Sequence, residues 1–588
     1  MNFDDKLNKL YEGSRCFVKD CRLWRSTSDG ALLLANFVPI PAAVIKKDDG
    51  NETITYLKMQ GVNHKGKSLP EVIIPAEKLT STQWIASAWD YQANFAPGNQ
   101  VKEHLRYAIT YAGSNHATYE NIYTYTGWRK INDEWIYLYN GGAIGKLNAT
   151  VELENSLSNY KFPEPIEDYR EALEMSYKFK ELAPDDITIP LLSMIYISPL
   201  NEFLRQAGHE PAYITFLLGV TGSMKSTLTA LALSHFGDFN SKNLPSSFKD
   251  TANAIEKKGF LLKDSLTAID HYYPSMQKIE TPRMEKTAQA ITRSYSDRTG
   301  RSRVNSDTSL KGSCIPRGNL IIIGEDIPNI GQSGIARHLI LELKKGDIDK
   351  GLLTELQSNS DQLNLAMRGY IEWLLPQAET LPNKLKEMFL RHRKKAQNDI
   401  QHALMPETVA WLQIGYEMFL TYATSLHVID TEAAEELKVR AFNLFMKLGE
   451  EQSRKIDSDK PTVKFINALR ELLATSSCHV KGLKDMVNEF NSMGFIGYED
   501  DHYYYLYGDT TVKEIVQFYN QQGITFPVSK LTLLKHLEAE GLIEVEYNNN
   551  GIKREKQKKI RGENKRLIWL KKLSLIEAES VDLKHMII

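Results

Sequence analysis

The stretch that decides the fold is Gly219-Val220-Thr221-Gly222-Ser223-Met224-Lys225-Ser226-Thr227. The apolar run 213–218 before it predicts a buried strand, and residues 228–236 after it predict a helix. A glycine-rich loop in this setting directs backbone N–H groups and the helix N-terminus at phosphates, with Lys225 on the β and γ oxygens and Ser226 on Mg²⁺. The sequence therefore predicts an ATP-binding P-loop. The alternative is an accidental glycine-rich turn, which the flanking strand and helix disfavour.

Two further apolar runs end in acids that suit the same site. The run 266–269 ends at Asp270, which we expect to hold the water shell of the Mg²⁺ ion. The run 319–324 ends at Glu325 and Asp326, which approach the γ-phosphate if the strands are neighbours. The alternative for this second pair is that the two acids only cap a turn.

The sequence departs from the common P-loop pattern at two positions. Glycine usually precedes the lysine, and Met224 stands there instead, although Gly219 and Gly222 still allow the loop to turn. His271 follows Asp270 at the place where many ATPases carry the carboxylate that activates water. Its imidazole is either a proton acceptor or a structural side chain, which leaves the general base open.

Arg337 lies between the run that ends at Glu325 and a further predicted strand, 338–343. Ring-shaped ATPases place at this point an arginine that reaches into the site of the neighbouring subunit. We therefore expect Arg337 to act catalytically in trans. The alternative is a solvated arginine.

The segment 294–311 predicts a polar β-hairpin inserted between the second and third strands of the core. In a ring, such a hairpin points into the pore, where cations contact DNA phosphates without regard to base sequence. The alternative is a solvated surface hairpin. The expected DNA contacts are Arg298, Arg301, Arg303 and Lys311.

The C-terminal segment predicts a second DNA-binding element. Helices over 511–522 and 528–540 precede the strongly basic run 553–566, in the order of a winged helix with a basic wing. Winged helices also dock proteins, which is the alternative. The expected DNA contacts are Lys530, Lys535, Lys556, Lys558, Lys559 and Arg561.

Length and composition set the broad class of the chain. With 588 residues, 42% hydrophobic and 25% charged, it has the balance of a soluble, folded, multidomain protein. Acids stand at the start where a secretory signal carries positive charge, and four scattered cysteines do not form a disulfide framework. The apolar stretch 187–204 is interrupted by Pro190 and Pro199 and predicts a buried helix pair, not a membrane span. We expect a cytoplasmic protein.

The pattern predicts a multidomain α/β chain with a central α/β nucleotide-binding core. Aromatic and β-branched runs near the start indicate antiparallel strands and hairpins. The charged run 454–461 is expected to be solvated and to precede a smaller C-terminal domain. The predicted division is a β-rich N-terminal domain (1–165), a helical linker (166–210), an AAA+ ATPase core (211–350), a helical lid or bundle (351–455) and a winged-helix domain (456–588).

Taken together, the motifs resemble a known family. The P-loop, the strand ending at Asp270 before Tyr272-Tyr273-Pro274, the hairpin leading to 318–326 and the segment 333–337 resemble the MCM-like AAA+ helicases of staphylococcal chromosomal cassettes and related mobile elements. Residues 120–145, with Thr126-Gly127-Trp128, look like the leading part of the wider DUF927-like family of P-loop ATPases. The resemblance covers most of residues 120–420.

The resemblance implies a hexameric, self-loading replicative helicase with a hairpin in its pore and a C-terminal winged helix. Relatives often carry a second sensor arginine near the region 402–406, where this chain has none, and Arg391 and Arg393 are the nearest candidates. The leading function is ATP-driven DNA unwinding for replication of a mobile element. An origin-recognising ATP switch and a DNA-packaging or transfer motor are the alternatives.

Overall fold

The computed structural model describes residues 3–273, 280–298, 303–304, 310–311, 313–328, 330–397, 400, 404–483, 494–522, 526–548 and 551–573. The architecture is mixed α/β and multidomain. Its first part contains α1 (Phe3–Asn8), β1 (Cys16–Lys19), β2 (Arg22–Thr27), β3 (Gly30–Ala35), β4 (Phe37–Asp48), β5 (Thr53–Asn63), β6 (Ser68–Pro75), α2 (Gln83–Trp89), α3 (Asn99–His116), β7 (Thr118–Tyr123), β8 (Gly127–Ile131), β9 (Glu134–Tyr139), β10 (Gly142–Ile144) and β11 (Thr150–Val151).

The N-terminal strands form three sheets, ordered β1-β2-β3, β11-β7-β4-β5-β6 and β10-β9-β8. The expectation of purely antiparallel strands was wrong here, because β7 lies parallel to both β4 and β11. Parallel neighbours need a long crossover, and α3 lies within the connection from β4 to β7. The apolar residues of α3 recur at helical spacing from Val101 through Leu105 to Ala112 and are buried in the N-terminal core.

The central part of the chain contains a parallel sheet with helices around it. Its elements are α4 (Arg170–Lys178), α5 (Asp185–Ile197), α6 (Asn201–Gln206), β12 (Ile214–Leu218), α7 (Lys225–Leu233), β13 (Ser246–Ser247), α8 (Ala252–Leu261), β14 (Leu266–Tyr272), α9 (Glu280–Ser296), β15 (Arg303–Val304), β16 (Leu310–Lys311), β17 (Asn319–Gly324), α10 (Gly331–Ile335) and β18 (His338–Glu342).

The strand order of this sheet is β13-β14-β17-β12-β18, with every neighbouring pair parallel. The carboxyl ends of β14, β17 and β12 therefore lie side by side. In open parallel sheets, ligands bind at the carboxyl ends of the strands. The three strands that the sequence analysis treated as neighbours are adjacent, with β17 in the middle.

The apolar stretch between α4 and β12 is helical and buried, as expected, but neither proline ends it. Pro190 lies inside α5, and Pro199 lies in the 3-10 turn Ser198–Leu200 that joins α5 to α6. Among the described residues, one helical stretch, Asp185–Gln206, is long and apolar enough to cross a membrane. All of its apolar window is buried inside the protein, so its hydrophobicity belongs to the core.

The sheet is followed by α11 (Lys350–Ser358), α12 (Ser360–Leu374), α13 (Leu381–Gln397), α14 (Met405–Ser425) and α15 (Thr431–Ser458). The run 454–461, expected to be solvated, is so only in part, because α15 continues through Ser458 and Ile456 is fully buried. One hydrophobic core runs from Tyr125 to Ile456. It therefore crosses the predicted boundaries after residues 165, 210 and 350.

The C-terminal part has its own core. It contains α16 (Pro461–Ala474), β19 (His479–Gly482), β20 (Phe495–Glu499), β21 (Tyr503–Leu506), α17 (Gly508–Gln521), α18 (Lys530–Ala539), β22 (Ile543–Glu544), β23 (Glu546–Asn548), β24 (Gly551–Lys553), β25 (Lys556–Ile560) and β26 (Glu563–Lys571). The helices α16, α17 and α18 share one core with the sheet β19-β20-β21-β26-β22. Strands β19 to β21, inserted between α16 and α17, were not expected.

Candidate functional site

The loop after β12 is the starting point of the site. It runs from Gly219 to Met224, and α7 begins at Lys225. A Cβ atom added at Gly219 would lie 2.4 Å from the carbonyl oxygen of Leu343 and 2.8 Å from Oγ of Ser223. Glycine is therefore required at the point where the loop passes the end of β18. Oγ of Ser223 is buried without a hydrogen-bond partner in the part of the chain that the structure describes.

Met224 occupies the position where the common pattern has glycine. Its backbone has φ +67° and ψ +23°, in the left-handed region that residues with a Cβ atom enter at a cost. The preference for glycine here is thus a backbone requirement. This chain accepts the strain, and the Met224 side chain packs against the central core.

We expect valine at position 224 to lower stability and glycine to be tolerated. Met224→Val places a β-branched residue at positive φ and should lower the free energy of unfolding by about 1–2 kcal/mol relative to Met224→Gly. Thermal unfolding of both variants measures the difference. Equal melting temperatures would contradict the left-handed geometry of the loop.

Lys225 directs its ammonium group back along the loop. Its side chain is largely buried, and Nζ donates to the carbonyl oxygens of Gly219 and of Val220, the latter at 2.9 Å. Burial lowers the pKa of Lys225, while the nearby carboxylates of Glu325 and Asp270 act in the opposite direction. The lysine also lines one cleft with the two acids named from the sequence.

Ser226 and Asp270 meet at the start of α7. The Ser226 hydroxyl donates to Oδ2 of Asp270 at 3.0 Å, and Oδ1 of Asp270 accepts from the backbone N–H of His271 at 2.6 Å. Among the described residues, no group of three or more His, Cys, Asp or Glu side chains is placed to hold a metal ion. One hydroxyl and one carboxylate fit Mg²⁺, which keeps most of its waters and takes further oxygens from phosphates.

Glu325 and His271 are the two candidate bases beside the loop. Oε1 of Glu325 accepts a hydrogen bond from the Thr221 hydroxyl, which joins the end of β17 to the loop. The pairing of β14 with β17 is irregular after Ile269, and His271 in that bulge has φ +67°. Both side chains line a cleft of 530 Å³ with Lys225 and Ser226.

Sequence reasoning missed one cation at the loop. Lys345 is exposed just beyond β18, and its Cε atom would lie 3.7 Å from a Cβ atom added at Gly222. No motif marks this lysine. It reaches the loop because β18 lies next to β12 in the sheet, which is a tertiary relationship.

A larger cleft of 670 Å³ lies away from the loop, near the amino-terminal ends of β14 and β17. Its charged side chains are mostly neutralised within the chain. Arg205 pairs with Glu202 and Lys130 with Glu379 at 2.8 Å. The loop and the acids converge instead at the smaller cleft.

Arg337 lies at the amino-terminal ends of the sheet strands, whereas Lys225 lies at their carboxyl ends. Its carbonyl oxygen accepts from the backbone N–H of Ile214 at 2.9 Å, at the start of β12, whereas the loop follows the end of that strand. The five residues of β12 advance about 3.3 Å each and separate the two points by about 16 Å. Arg337 is therefore remote from the cleft of its own chain.

The expected DNA-binding hairpin is only partly described. Strands β15 and β16 pair antiparallel, with Arg303 opposite Lys311. Arg301 lies outside the described residues, and α9 extends to Ser296, into the segment expected to be hairpin. Arg298 is used within the chain, because its guanidinium donates to the carbonyl oxygens of Pro211 and Pro316 and lies 3.5 Å from Glu210.

The basic strands at the C-terminus divide their cations between two faces. Lys556 and Lys558 lie over the ring of Trp569, at 4.2 and 4.9 Å, while Lys559 and Arg561 are exposed. Side chains alternate along a strand, which accounts for the two orientations. On α18, Lys530 pairs with Asp509 and Glu555, whereas Lys535 is exposed.

We expect the exposed cations of β25 and its turn to carry DNA affinity. Replacing Lys559 and Arg561 with alanine should weaken DNA binding and reduce the slope of log affinity against log salt by about 2, since two fewer counterions are released. Fluorescence anisotropy over a salt series measures this slope. The matched double variant Lys65→Ala with Lys146→Ala removes two exposed lysines elsewhere and should leave it unchanged. An unaltered slope in the first variant would favour protein docking.

The second sensor remains without a clear candidate. Arg391 contacts Glu417 at 3.2 Å, and Arg393 contacts Glu407 at 3.3 Å. Both arginines therefore already have carboxylate partners on α14, and residues 401–403 lie outside the described part of the chain.

Comparison with known proteins identifies the fold. The structure is similar to one described as the active helicase Cch of SCCmec type IV, over 96% of this chain and 98% of that chain, with a TM-score of 0.57 and 15% sequence identity. The chain has the fold of this cassette helicase. The resemblance to the cassette helicases is thereby confirmed at the level of fold, and the DUF927-like resemblance stays a prediction.

Two further solved structures align with this chain, but with much lower TM-scores. The JCV helicase aligns over 47% of this chain and 74% of its own, at 10% identity. The C-terminal region of NrS-1 aligns over 72% of this chain and 92% of its own, at 12% identity. Both TM-scores are 0.20, too low to carry an argument. No protein-family model matches the chain, and no curated protein matches it in sequence.

Proposed function

We propose that this chain is an ATP-dependent DNA helicase, assembling as an MCM-like, self-loading hexamer in the cytoplasm and unwinding duplex DNA for replication of a mobile element. The observation that carries the proposal is the convergence of Lys225, Ser226, Asp270 and Glu325 at one edge of a parallel sheet, around a cleft of 530 Å³. The shared fold with a structure described as an active helicase gives this convergence its context.

The cleft supplies the groups that phosphoryl transfer requires. The N–H groups of Gly219 and Ser223 donate to the carbonyl oxygens of Gly324 and Val220. The other N–H groups of the loop and those at the start of α7 would face the phosphates, and Lys225 would balance charge on the β and γ oxygens. Ser226 and Asp270 would hold Mg²⁺, which supplies charge neutralisation between the β and γ phosphates. Glu325 or His271 orients and deprotonates the attacking water, and Arg337 of a neighbouring subunit stabilises charge on the γ-phosphate.

DNA contacts are proposed at two places. The hairpin strands β15 and β16 would bind single-stranded DNA in the pore, and the helices α16, α17 and α18 with β22 to β26 would bind duplex DNA as a winged helix. The exposed cations Lys535, Lys559 and Arg561 favour phosphate contacts at the second place.

A strand-displacement assay tests the function. The full-length protein, with ATP and Mg²⁺, is mixed with a forked duplex that carries a fluorophore and a quencher, and strand separation is followed with time. ATP-dependent separation is the expected result. ATP hydrolysis and DNA binding without separation would support an initiator switch, and translocation on intact duplex would support a packaging or transfer motor.

A further inference from the structure

Lys345 lies beside the glycine loop, in the turn that follows β18. The backbone N–H of Leu343 donates to the carbonyl oxygen of Leu218 at 2.8 Å, so the chain leaves β18 at the level where the loop begins. Cε of Lys345 would lie 3.7 Å from a Cβ atom added at Gly222, and its ammonium group is one bond further along the side chain. Gly222 lines the same cleft as Lys225. A second ammonium group therefore lies within reach of this cleft.

The turn that carries Lys345 is held by its own hydrogen bonds. The N–H of Asp347 donates to the carbonyl oxygen of Lys344 at 3.3 Å, and Oδ2 of Asp347 accepts from the N–H of Lys344 at 2.8 Å. Gly346, the third residue of this turn, has φ +96°, which a type II turn requires at that position and glycine adopts without strain. The backbone of Lys345 is thus fixed beside the loop, while its side chain is exposed.

The cleft is short of positive charge for a triphosphate. Among the described residues that line it, Lys225 is the one lysine or arginine, and the carboxylates of Asp270 and Glu325 line it as well. A nucleoside triphosphate carries more negative charge than one lysine and one Mg²⁺ ion neutralise together. Lys345 has no carboxylate partner in the part of the chain that the structure describes, so its charge is available to a ligand.

We propose that Lys345 is a second cation of the nucleotide site and binds the phosphate chain of a nucleoside triphosphate from the side of Gly222. The inference rests on the proposed ATP site. An ammonium group binds phosphate as a point charge, which suits a flexible side chain on a fixed turn. The contact forms when the nucleotide binds and persists in the transition state. It therefore lowers the Kd for the nucleotide and leaves the rate at saturating ATP unchanged.

The test is the Kd of the full-length chain for a fluorescent ATP analogue in the presence of Mg²⁺, measured by anisotropy. Lys345→Ala should raise this Kd about tenfold, the lower range for a hydrogen bond to a charged group. Lys345→Arg keeps the charge and should restore most of the affinity. The ATPase rate at saturating ATP should match the wild type in both variants. An unchanged Kd in Lys345→Ala, or a rate at saturating ATP that falls with the affinity, would overturn the inference.

The matched control is Lys344→Ala, which removes an exposed lysine from the same turn and changes the net charge by the same amount. Its Kd should equal that of the wild type. A rise in Kd as large as that of Lys345→Ala would overturn the contact, because the general charge of the turn would then account for the effect.

A salt series separates contact with the phosphates from contact with the base or ribose. Salt screens the attraction between an exposed ammonium group and a phosphate. The ratio of the Kd of Lys345→Ala to that of the wild type should therefore fall toward one as the salt concentration rises. A raised ratio that stays constant with salt would overturn the inference, because Lys345 would then pack against an uncharged part of the nucleotide.

The outcomes also distinguish the inference from the proposed function. A wild-type protein that does not bind the analogue contradicts both. A wild type that binds it, together with an unaltered Kd in Lys345→Ala, overturns the role of Lys345 alone and leaves the helicase proposal standing.

Discussion

Lys225→Ala is expected to lower ATP hydrolysis by at least about 10²-fold, the scale of removing one preorganised charge-stabilising group from an active site. The reason is geometric. Lys225 begins α7, its ammonium group donates to the loop carbonyls of Gly219 and Val220, and it lines the same cleft as Asp270 and Glu325. Steady-state phosphate release with and without DNA measures the effect, and circular dichroism verifies the fold.

The control for this variant is Lys242→Ala, which removes an exposed lysine from the loop after α7. Its ATPase rate should equal that of the wild type. Strand displacement should be lost in Lys225→Ala together with hydrolysis. DNA-stimulated ATPase near the wild-type rate in Lys225→Ala would show that the nucleotide binds elsewhere.

Arg337→Ala is expected to lower ATPase activity about 10³-fold, the lower range for an arginine that stabilises the transition state from a neighbouring subunit. Arg337 lies at the start of β12 and Lys225 follows its end, about 16 Å away along the strand. Arg337 therefore does not act on a nucleotide bound at Lys225 of its own chain. Nucleotide binding to the isolated subunit should therefore be retained, and fluorescence anisotropy of a labelled ATP analogue measures it.

Mixing the two inactive proteins tests action in trans. A ring with Arg337→Ala and Lys225→Ala subunits contains interfaces that pair an intact loop from one subunit with an intact arginine from its neighbour. Titrating one variant against the other at fixed total protein should restore part of the ATPase activity. Subunit exchange is verified by fluorescence transfer between labelled subunits.

Two results would contradict this assignment. A fully active Arg337→Ala protein would eliminate the catalytic role. A flat, inactive titration with confirmed subunit exchange would exclude complementation in trans, apart from the case in which every site of the ring must be intact for any to turn over.

The central sheet shows how far sequence reasoning reached. The acids Asp270 and Glu325 were named because each ends an apolar run, and the structure places both beside Lys225 in one cleft. The predicted site required the strands that end at these acids to be neighbours of the strand before the loop. The structure meets this requirement, because β14 pairs with β17 and β17 pairs with β12. Neighbouring parallel strands have their carboxyl ends side by side. The positions of the two acids at the ends of apolar runs were therefore enough to predict that they lie close together.

The same reasoning failed where contacts depend on distant segments. Arg298 was expected to face DNA, yet it donates to Pro211 and Pro316, which no local pattern links to it. The charged run after residue 453 was expected to be solvated, yet Ile456 is buried within a continuous helix. Charge in a short window predicts solvent exposure only when no other element packs against that window.

The sequence by itself determined the glycine loop between β12 and α7, because strand, glycine turn, lysine and helix are encoded within about twenty neighbouring residues by local periodicity and backbone preference. Only the tertiary structure decided which charges are free. It paired Arg337 with Asp297, brought Lys345 to Gly222 and turned Lys556 toward Trp569 while leaving Lys559 exposed. These outcomes depend on which strands and helices become neighbours, and that follows from burial of the whole core, not from any single segment.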